Sequence, residues 1–266
     1  MVSELAWRPI TPRFGAELVN AQLHELDEEG ASSLTYLLGE RGVVVCREQR
    51  MTADHQVALG QLLGPVHTLP AFVDPDRPEL VVIHADEHSA GSADQWHSDV
   101  SCEARPPAIS MLRMEVVPEA GGDTLFADMY QAYASLSPAM QSFLAGLTAR
   151  HDAPPAFSQG RQEGHPSAAI HPVVRTHPLT GQRALFVNSA YTKKIVELQD
   201  RESEALLRMV FDQVAYQIDH QIRVSWRPGT VVMWDNRCVQ HHASFDYHPA
   251  VRHGYRITTI GESPYV

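Results

Sequence analysis

Trp96-His97-Ser98-Asp99 is the segment of this chain best suited to chemistry. In an extended backbone, residues two apart project to one side, so the His97 imidazole and the Asp99 carboxylate can grip one cation together. A second histidine from elsewhere would complete a facial triad, a ligand set that suits non-haem Fe(II) and leaves three coordination positions open. The spacing alone is a weak signal. With 15 histidines in the chain, chance produces such pairs, and His84-Ala85-Asp86 repeats the same interval. Context has to separate the two.

The C-terminal segment supplies that context. Trp234-Asp235-Asn236-Arg237 leads into Gln240-His241-His242-Ala243, followed by Arg252 and Arg256. If that last stretch is a strand, the two arginines share a face, with Gly254 leaving room between them. Two guanidiniums on one face beside a metal make a carboxylate receptor, because their forks bind carboxylates in bidentate fashion. A pair of solvated surface arginines is the plainer alternative.

The elements that must carry these residues read as strand-rich. Asp27 to Glu40 predicts a helix with Leu34, Leu37 and Leu38 on one face, and Gly42 to Cys46 a strand apolar on both faces. Thr52 can cap a second helix that ends at Gly64-Pro65, and Ala139 to Leu147 fits a third. Asp200 is positioned to cap a helix bearing Leu206, Leu207, Val210, Phe211 and Val214. Strands are expected at Leu80 to Ile83, Ala108 to Val117, Ile222 to Trp226, Thr230 to Trp234 and Tyr255 to Ile260. Pro172 to Thr176 and Arg183 to Asn188 flank a hairpin signature. Between Ala153 and Ala169 no period is visible, which suggests a lid or binding loop. Many strands with few helices between them point to a barrel or sandwich with helical additions.

With 266 residues and no linker or low-complexity run, residues 1–266 are expected to form a single domain. The net charge of -11 argues against nucleic acid or an anionic membrane as partner. No apolar run is long enough to span a bilayer, and the N-terminus lacks a secretion pattern. Cys46, Cys102 and Cys238 are odd in number and scattered, which favours free, inert thiols in a reducing compartment. A cytoplasmic protein is the expectation.

Several motifs in one order carry a resemblance: FGAEL, WHSDVS, RPPA, GGDTLF, HPVVRTHPLTG, ALFVN, ESEALL, WDNR, QHHA and the Arg252/Arg256 pair. Over nearly its whole length the chain resembles the taurine dioxygenase (TauD/TfdA) family of Fe(II)- and 2-oxoglutarate-dependent dioxygenases. That resemblance implies a mixed α/β, strand-rich fold, a distorted double-stranded β-helix (jelly roll) with flanking helices. It implies Fe(II) held by His97, Asp99 and His241, with 2-oxoglutarate as cosubstrate and O2 as oxidant. Thr124 would hydrogen-bond the distal carboxylate of 2-oxoglutarate and Arg252 would pair with it. Arg256 would sit nearer the iron, toward the keto-acid end and the substrate's anionic group. His84 and Asp86 become a decoy. His242 stands where the family usually has a tyrosine or another residue, so it competes with His241 for the third ligand position.

The implied reaction is hydroxylation of a small organic substrate, with release of succinate and CO2. If the oxidised carbon bears sulfur or oxygen, the product collapses to an aldehyde. The substrate pocket departs from the taurine pattern. Leu69 and Phe72 stand for a histidine and a tyrosine, Ala93 for an asparagine, Ala156 for a serine and Tyr191 for a phenylalanine, while Phe157 is kept. Loss of polar donors disfavours a zwitterion such as taurine and favours a larger, more apolar molecule with one anionic group. His67 is either a substrate contact or a satisfied core histidine, and Trp96 and Trp234 read as packing residues. Desaturation or oxidative decarboxylation with the same cofactors, a non-enzymatic 2-oxoglutarate-binding protein and a zinc hydrolase are the alternative readings. A small-molecule substrate and a homo-oligomer, dimer or tetramer, are the expected partners.

Overall fold

A computed structural model describes residues 5–68, 73–89, 94–153 and 168–266. Its centre is strand β3 (Val43–Cys46), whose four residues are all buried because both faces of the sheet are covered there. It belongs to a seven-stranded sheet. One end of the chain supplies β1 (Trp7–Pro9), β2 (Ala16–Leu18) and β3, and the other supplies β13 (Val231–Asp235) and β15 (Arg252–Ile260). Strands β4 (Val81–Ala85) and β5 (Pro107–Val116) complete the order β1-β2-β3-β13-β5-β15-β4.

The period of two along each strand sorts the side chains into two cores. On the outer face, Val44, Ile109, Met111, Val231, Met233 and Ile257 pack beneath helices α1 (Glu28–Arg41) and α2 (Ala53–Leu63), through Leu34, Leu37, Leu38 and Leu59. On the inner face, Val43, Leu112, Val232 and Trp234 meet Phe126, Ile222 and Val224. Those last three belong to a second sheet of β6 (Thr124–Asp128) flanked by β12 (Gln221–Val224) and β14 (Val239–Ala243). Two facing antiparallel sheets with helices outside are the jelly-roll arrangement that the resemblance implied. A small sheet of β7 (Thr148–Asp152), β8 (Ala168–Pro172) and β11 (Thr192–Ile195), a hairpin of β9 (Val174–Thr176) and β10 (Arg183–Leu185), and helices α3 (Met129–Ala134), α4 (Pro138–Leu144) and α5 (Asp200–Ala215) fill the flanks.

Local chemistry explains most boundaries. Asp27 caps α1 by accepting the Gly30 N–H at 2.9 Å, and Thr52 and His55 form a reciprocal capping box on α2. The hairpin has Thr176 opposite Arg183, as the turn residues between them require. Three expectations need correction. The cap of α5 is Gln199, whose N–H is held by Glu202, and Asp200 instead pairs with Lys194 at 2.6 Å. Helix α4 stops at Leu144 because the chain turns through Gly146 into β7 at Thr148. Of the aperiodic stretch 153–169, residues 154–167 lie outside the described residues, while Ala168 and Ala169 already belong to β8.

Gly254 has a different use from the one its position suggested. A Cβ there would lie 2.4 Å from the Arg113 carbonyl oxygen and 2.8 Å from Met114 Sδ, so its bareness lets β15 close onto β5. Gly254→Ala is expected to lower the unfolding free energy by about 2 kcal/mol in denaturant titration, through overpacking between the two strands. An unchanged midpoint would mean that β5 yields freely at this point.

Candidate active site

His97 and His241 come from segments remote in sequence and meet as an antiparallel bridge. The His97 N–H donates to the His241 carbonyl at 3.1 Å, and the His241 N–H returns a bond to the His97 carbonyl at 2.8 Å. The two imidazole centroids are thereby 4.1 Å apart. The chain then turns at Asp99 and Val100, and Val100 takes a φ of 43°, a left-handed conformation that a β-branched residue adopts only under constraint. That turn swings the Asp99 carboxylate back beside the imidazoles, with Oδ1 3.9 Å from His241 Nε2. One ligand atom from each of His97, Asp99 and His241 lies within 4.8 Å of the others, and all three residues are buried.

Surrounding groups hold this cluster in one protonation state. His97 Nδ1 lies 2.7 Å from the Gln95 carbonyl, an acceptor that fixes the proton on Nδ1 and turns Nε2 toward the cluster. Burial pulls His97 below the usual histidine range, and burial together with His97 pulls His241 well below it. Burial alone would raise Asp99, but the Arg256 charge, with the flanking imidazoles and the Ser110 hydroxyl, outweighs it and holds the carboxyl well below the usual range. Two neutral imidazoles and one carboxylate result.

Asp99 is further tied by residues that sequence reasoning gave no role. Ser110 Oγ donates to Asp99 Oδ2 at 2.7 Å. Asn236 accepts the Asp99 N–H at 3.0 Å and the Trp234 indole N–H at 3.1 Å, and donates to Ser110 Oγ at 2.9 Å and the Ala108 carbonyl at 3.2 Å. The WDNR motif was visible, but only pairing of β13 with β5 places Asn236 behind Asp99. Trp234 also does more than pack at large, since its ring lies 4.7 Å from the His241 ring.

Both arginines of β15 face inward. Arg256 Nη1 donates to Asp99 Oδ1 at 2.6 Å, while its buried Nε has no partner. Arg252 is 5% exposed, and among the described residues no carboxylate pairs with it. Its guanidinium instead lies 5.5 Å from the Trp226 ring, whose N–H donates to Thr124 Oγ1 at 3.0 Å. Thr124 and Arg252 are thus brought to one place, and the Thr124 hydroxyl proton is left free to donate elsewhere.

Other expected positions divide cleanly. The Tyr191 ring lies 6.4 Å from His97 and packs with Val81, Val100 and Cys102. Leu69, Phe72, Ala93, Ala156 and Phe157 lie outside the described residues. His242 faces away from His241 along the strand and packs at 5.6 Å on Trp96. His84 and Asp86 lie 3.2 Å apart near the surface, where Asp86 also accepts the His88 N–H at 2.9 Å, and they gather no third ligand among the described residues. His67 is paired with Glu103 at 2.7 Å. All three cysteines are buried, and burial pushes the Cys46 and Cys238 thiols up.

A second buried cluster, His177, Asp235 and Cys238, has a different character. Both Asp235 oxygens accept bonds from Arg237, at 2.8 and 2.6 Å, and Oδ2 also lies 3.0 Å from His177 Nε2. Arg237 reaches Glu262, which also pairs with Arg175. The carboxylate is already satisfied and neutralised, so this network pins the turn between β13 and β14 and leaves no ligand set for a cation.

A jelly roll with two imidazoles and a carboxylate at one point inside it, and buried arginines beside them, has the architecture of a non-haem iron oxygenase. Residues 6–258 match the family described as "Taurine catabolism dioxygenase TauD, TfdA family". An alpha-ketoglutarate-dependent sulfonate dioxygenase of Saccharomyces cerevisiae is 36% identical, over 99% of this chain and 68% of its own length. An alpha-ketoglutarate-dependent sulfate ester dioxygenase of Pseudomonas putida is 31% identical, over 98% and 91%. The crystal structure of a taurine dioxygenase from Burkholderia xenovorans superposes with a TM-score of 0.87 at 32% identity, covering 98% of this chain and 91% of that one. The chain belongs to the TauD/TfdA family and is an Fe(II)- and 2-oxoglutarate-dependent dioxygenase.

Asn236→Ala removes one partner from each of four buried groups, and is expected to lower the unfolding free energy by about 2 kcal/mol or more. His84→Ala, on the surface, is expected to stay within about 0.5 kcal/mol. Equal losses in a denaturant titration would show that the Asn236 network contributes nothing special.

Proposed function

We propose that His97, Asp99 and His241 hold the iron, that Thr124 and Arg252 hold the distal carboxylate of 2-oxoglutarate, and that the substrate is an organic sulfate ester or sulfonate with an apolar body. The donor set supports the first assignment: two imidazoles held neutral and a carboxylate held ionised need lose no proton to bind a divalent cation. The buried Arg252 guanidinium, lacking a carboxylate partner among the described residues, supports the second, because such a charge is costly until an anion meets it. The substrate reading rests on Arg256, which donates to Asp99, lies opposite Val81 of the apolar cluster with Val100, Cys102 and Tyr191, and has an Nε without a partner among the described residues. The names of the yeast and Pseudomonas putida relatives agree with it.

When bound, iron and 2-oxoglutarate supply the oxidising chemistry, consuming O2 and releasing succinate and CO2. The chain's own part is positional. Ser110 and Asn236 fix the orientation of Asp99, the Gln95 carbonyl fixes the His97 tautomer, and the bridge holds the imidazoles side by side. Arg256 would orient the substrate's anionic end, and Tyr191 and Val100 would exclude water from the carbon to be oxidised. Hydroxylation of a carbon bearing a sulfate oxygen gives an unstable product that collapses to an aldehyde and sulfate.

Residues 1–266 form one catalytic domain in this reading, which the interleaving of β1–β3 with β13 and β15 in one sheet supports. The buried thiols of Cys46 and Cys238 support a cytoplasmic location, and among the described residues no helix is long and apolar enough to cross a membrane. Self-association into a dimer or tetramer belongs to the same proposal; Tyr216 and Ile218, 74% and 76% exposed, support it.

An anaerobic optical titration with Fe(II) and 2-oxoglutarate tests the ligand assignment. Wild type and His242→Ala should develop the weak visible charge-transfer band of chelated cosubstrate, and His241→Ala should not. A band that survives His241→Ala but is lost in His242→Ala would overturn the assignment. Ser110→Ala should weaken metal binding by about tenfold, and wild-type affinity in that variant would remove Ser110 from the site. In succinate-release assays, medium-chain alkyl sulfates or sulfonates should exceed taurine in kcat/KM by about a hundredfold, and preference for taurine would refute the substrate reading.

A further inference from the structure

Tyr247 lies between β14 and β15, in a turn closed by the Ala250 N–H bonding to the Tyr247 carbonyl at 2.8 Å. Its neighbour Asp246 anchors that turn, accepting the Gly122 N–H at 2.8 Å and contacting Arg223 at 3.4 Å. Arg223 also pairs with Asp123 at 2.6 Å, so the loop is pinned against the Gly121-Gly122 turn just ahead of Thr124. Gly122 has a φ of +71°, and a Cβ on it would lie 3.2 Å from Tyr247 Cδ1 and 3.5 Å from Arg252 Cδ. The tyrosine ring and the arginine stem therefore pack on the same bare backbone atom.

Two observations stand out at this spot. Tyr247 is 7% exposed, and among the described residues neither its buried hydroxyl nor the buried Nε of Arg252 has a hydrogen-bond partner. Buried tyrosine hydroxyls ordinarily find an acceptor. Burial raises the Tyr247 pKa while the Arg252 charge opposes it, so the phenol keeps its proton at neutral pH and the two groups sense one another. A neutral O–H donor and a guanidinium Nε–H, both lacking an acceptor among the described residues, suit a carboxylate, which has about four lone-pair sites to offer them.

We propose that Tyr247 is a third arm of the cosubstrate receptor, its hydroxyl donating to the distal carboxylate of 2-oxoglutarate beside Arg252 and Thr124, and that it selects dicarboxylic over monocarboxylic 2-oxo acids. This rests on the assignment of Thr124 and Arg252 above. Arg252 provides charge and the Thr124 hydroxyl one bond. Tyr247 adds a directional bond that a chain ending in methyl cannot accept, so its contribution appears only when the second carboxylate is present.

Calorimetric titration of the full-length Mn(II)-loaded protein, without O2, with 2-oxoglutarate and with 2-oxopentanoate tests this directly. The second ligand has the same chain length and lacks the distal carboxylate. Tyr247→Phe keeps the ring and should weaken 2-oxoglutarate by about tenfold or more, leaving 2-oxopentanoate within about twofold of wild type. Tyr247→Leu should show the same selectivity loss, which covers a failure of the phenylalanine variant to fold. Wild-type affinity for 2-oxoglutarate in Tyr247→Phe, or equal weakening of both ligands, would overturn the proposal. Arg252→Gln separates the two levels. If it leaves the dicarboxylate preference intact, the Arg252 assignment itself falls; if it abolishes the preference while Tyr247→Phe keeps it, only the role of Tyr247 does.

Discussion

The bridge between His97 and His241 is the constraint on which the site depends. A pair of residues that exchanges both backbone N–H···O bonds has almost no freedom to slide, because displacement along the strand would leave two buried polar groups unpaired. Their side chains consequently leave the backbone from fixed, adjacent points, which sets the imidazoles 4.1 Å apart. β14 is itself held by pairing with β6, with His241 opposite Phe126 and Ala243 opposite Thr124. One strand thus sets two positions at once: a histidine at the metal cluster and, two residues further along the pairing, the threonine beside Arg252.

Charge inside the barrel follows from the same geometry. Asp99 is buried, yet it stays ionised because Arg256 reaches it from β15 and two imidazoles flank it. Arg252, one inward position earlier than Gly254 on that strand, has no such partner and stacks on Trp226. The two arginines look equivalent as a pair four residues apart, but one balances a charge within the protein and the other keeps its charge available. By contrast, the His177–Asp235–Arg237 network consumes all its charge internally. Its residues are as buried and as close as those of the site, which shows that proximity of ligand types is insufficient: what matters is whether the carboxylate's lone pairs are already spent.

Much of this was legible before any coordinates. Helix α1 was marked by leucines at helical spacing and α2 by Thr52 as its cap, and β3 by four apolar residues in a row. The strands that escaped include β14, which carries His241, and β7. β14 reads Val-Gln-His-His-Ala and β7 reads Thr-Ala-Arg-His-Asp, patterns with too many polar residues for a buried strand unless those residues have partners elsewhere. Ser110 and Asn236 were hidden for a similar reason: each is an ordinary polar residue until the register of β13 against β5 sets Trp234 opposite Ser110.

The sequence by itself determined the ligand types, their order and the family, because an imidazole and a carboxylate two residues apart, a distant histidine and two arginines keep their chemistry and spacing in any conformation. Tertiary structure alone decided between equal candidates. His84-Ala85-Asp86 and His97-Ser98-Asp99 share one spacing and each faces a strand with another histidine, His253 for the first and His241 for the second, but among the described residues only the second closes into a buried group of three. His241 and His242 differ by one step, and the alternation of a strand sends one to the cluster and the other to Trp96. Tyr247 and Arg252 are five apart with nothing to link them until both pack on Gly122. Such choices rest on which face of which strand meets which neighbour, a property of pairing register that no single segment contains.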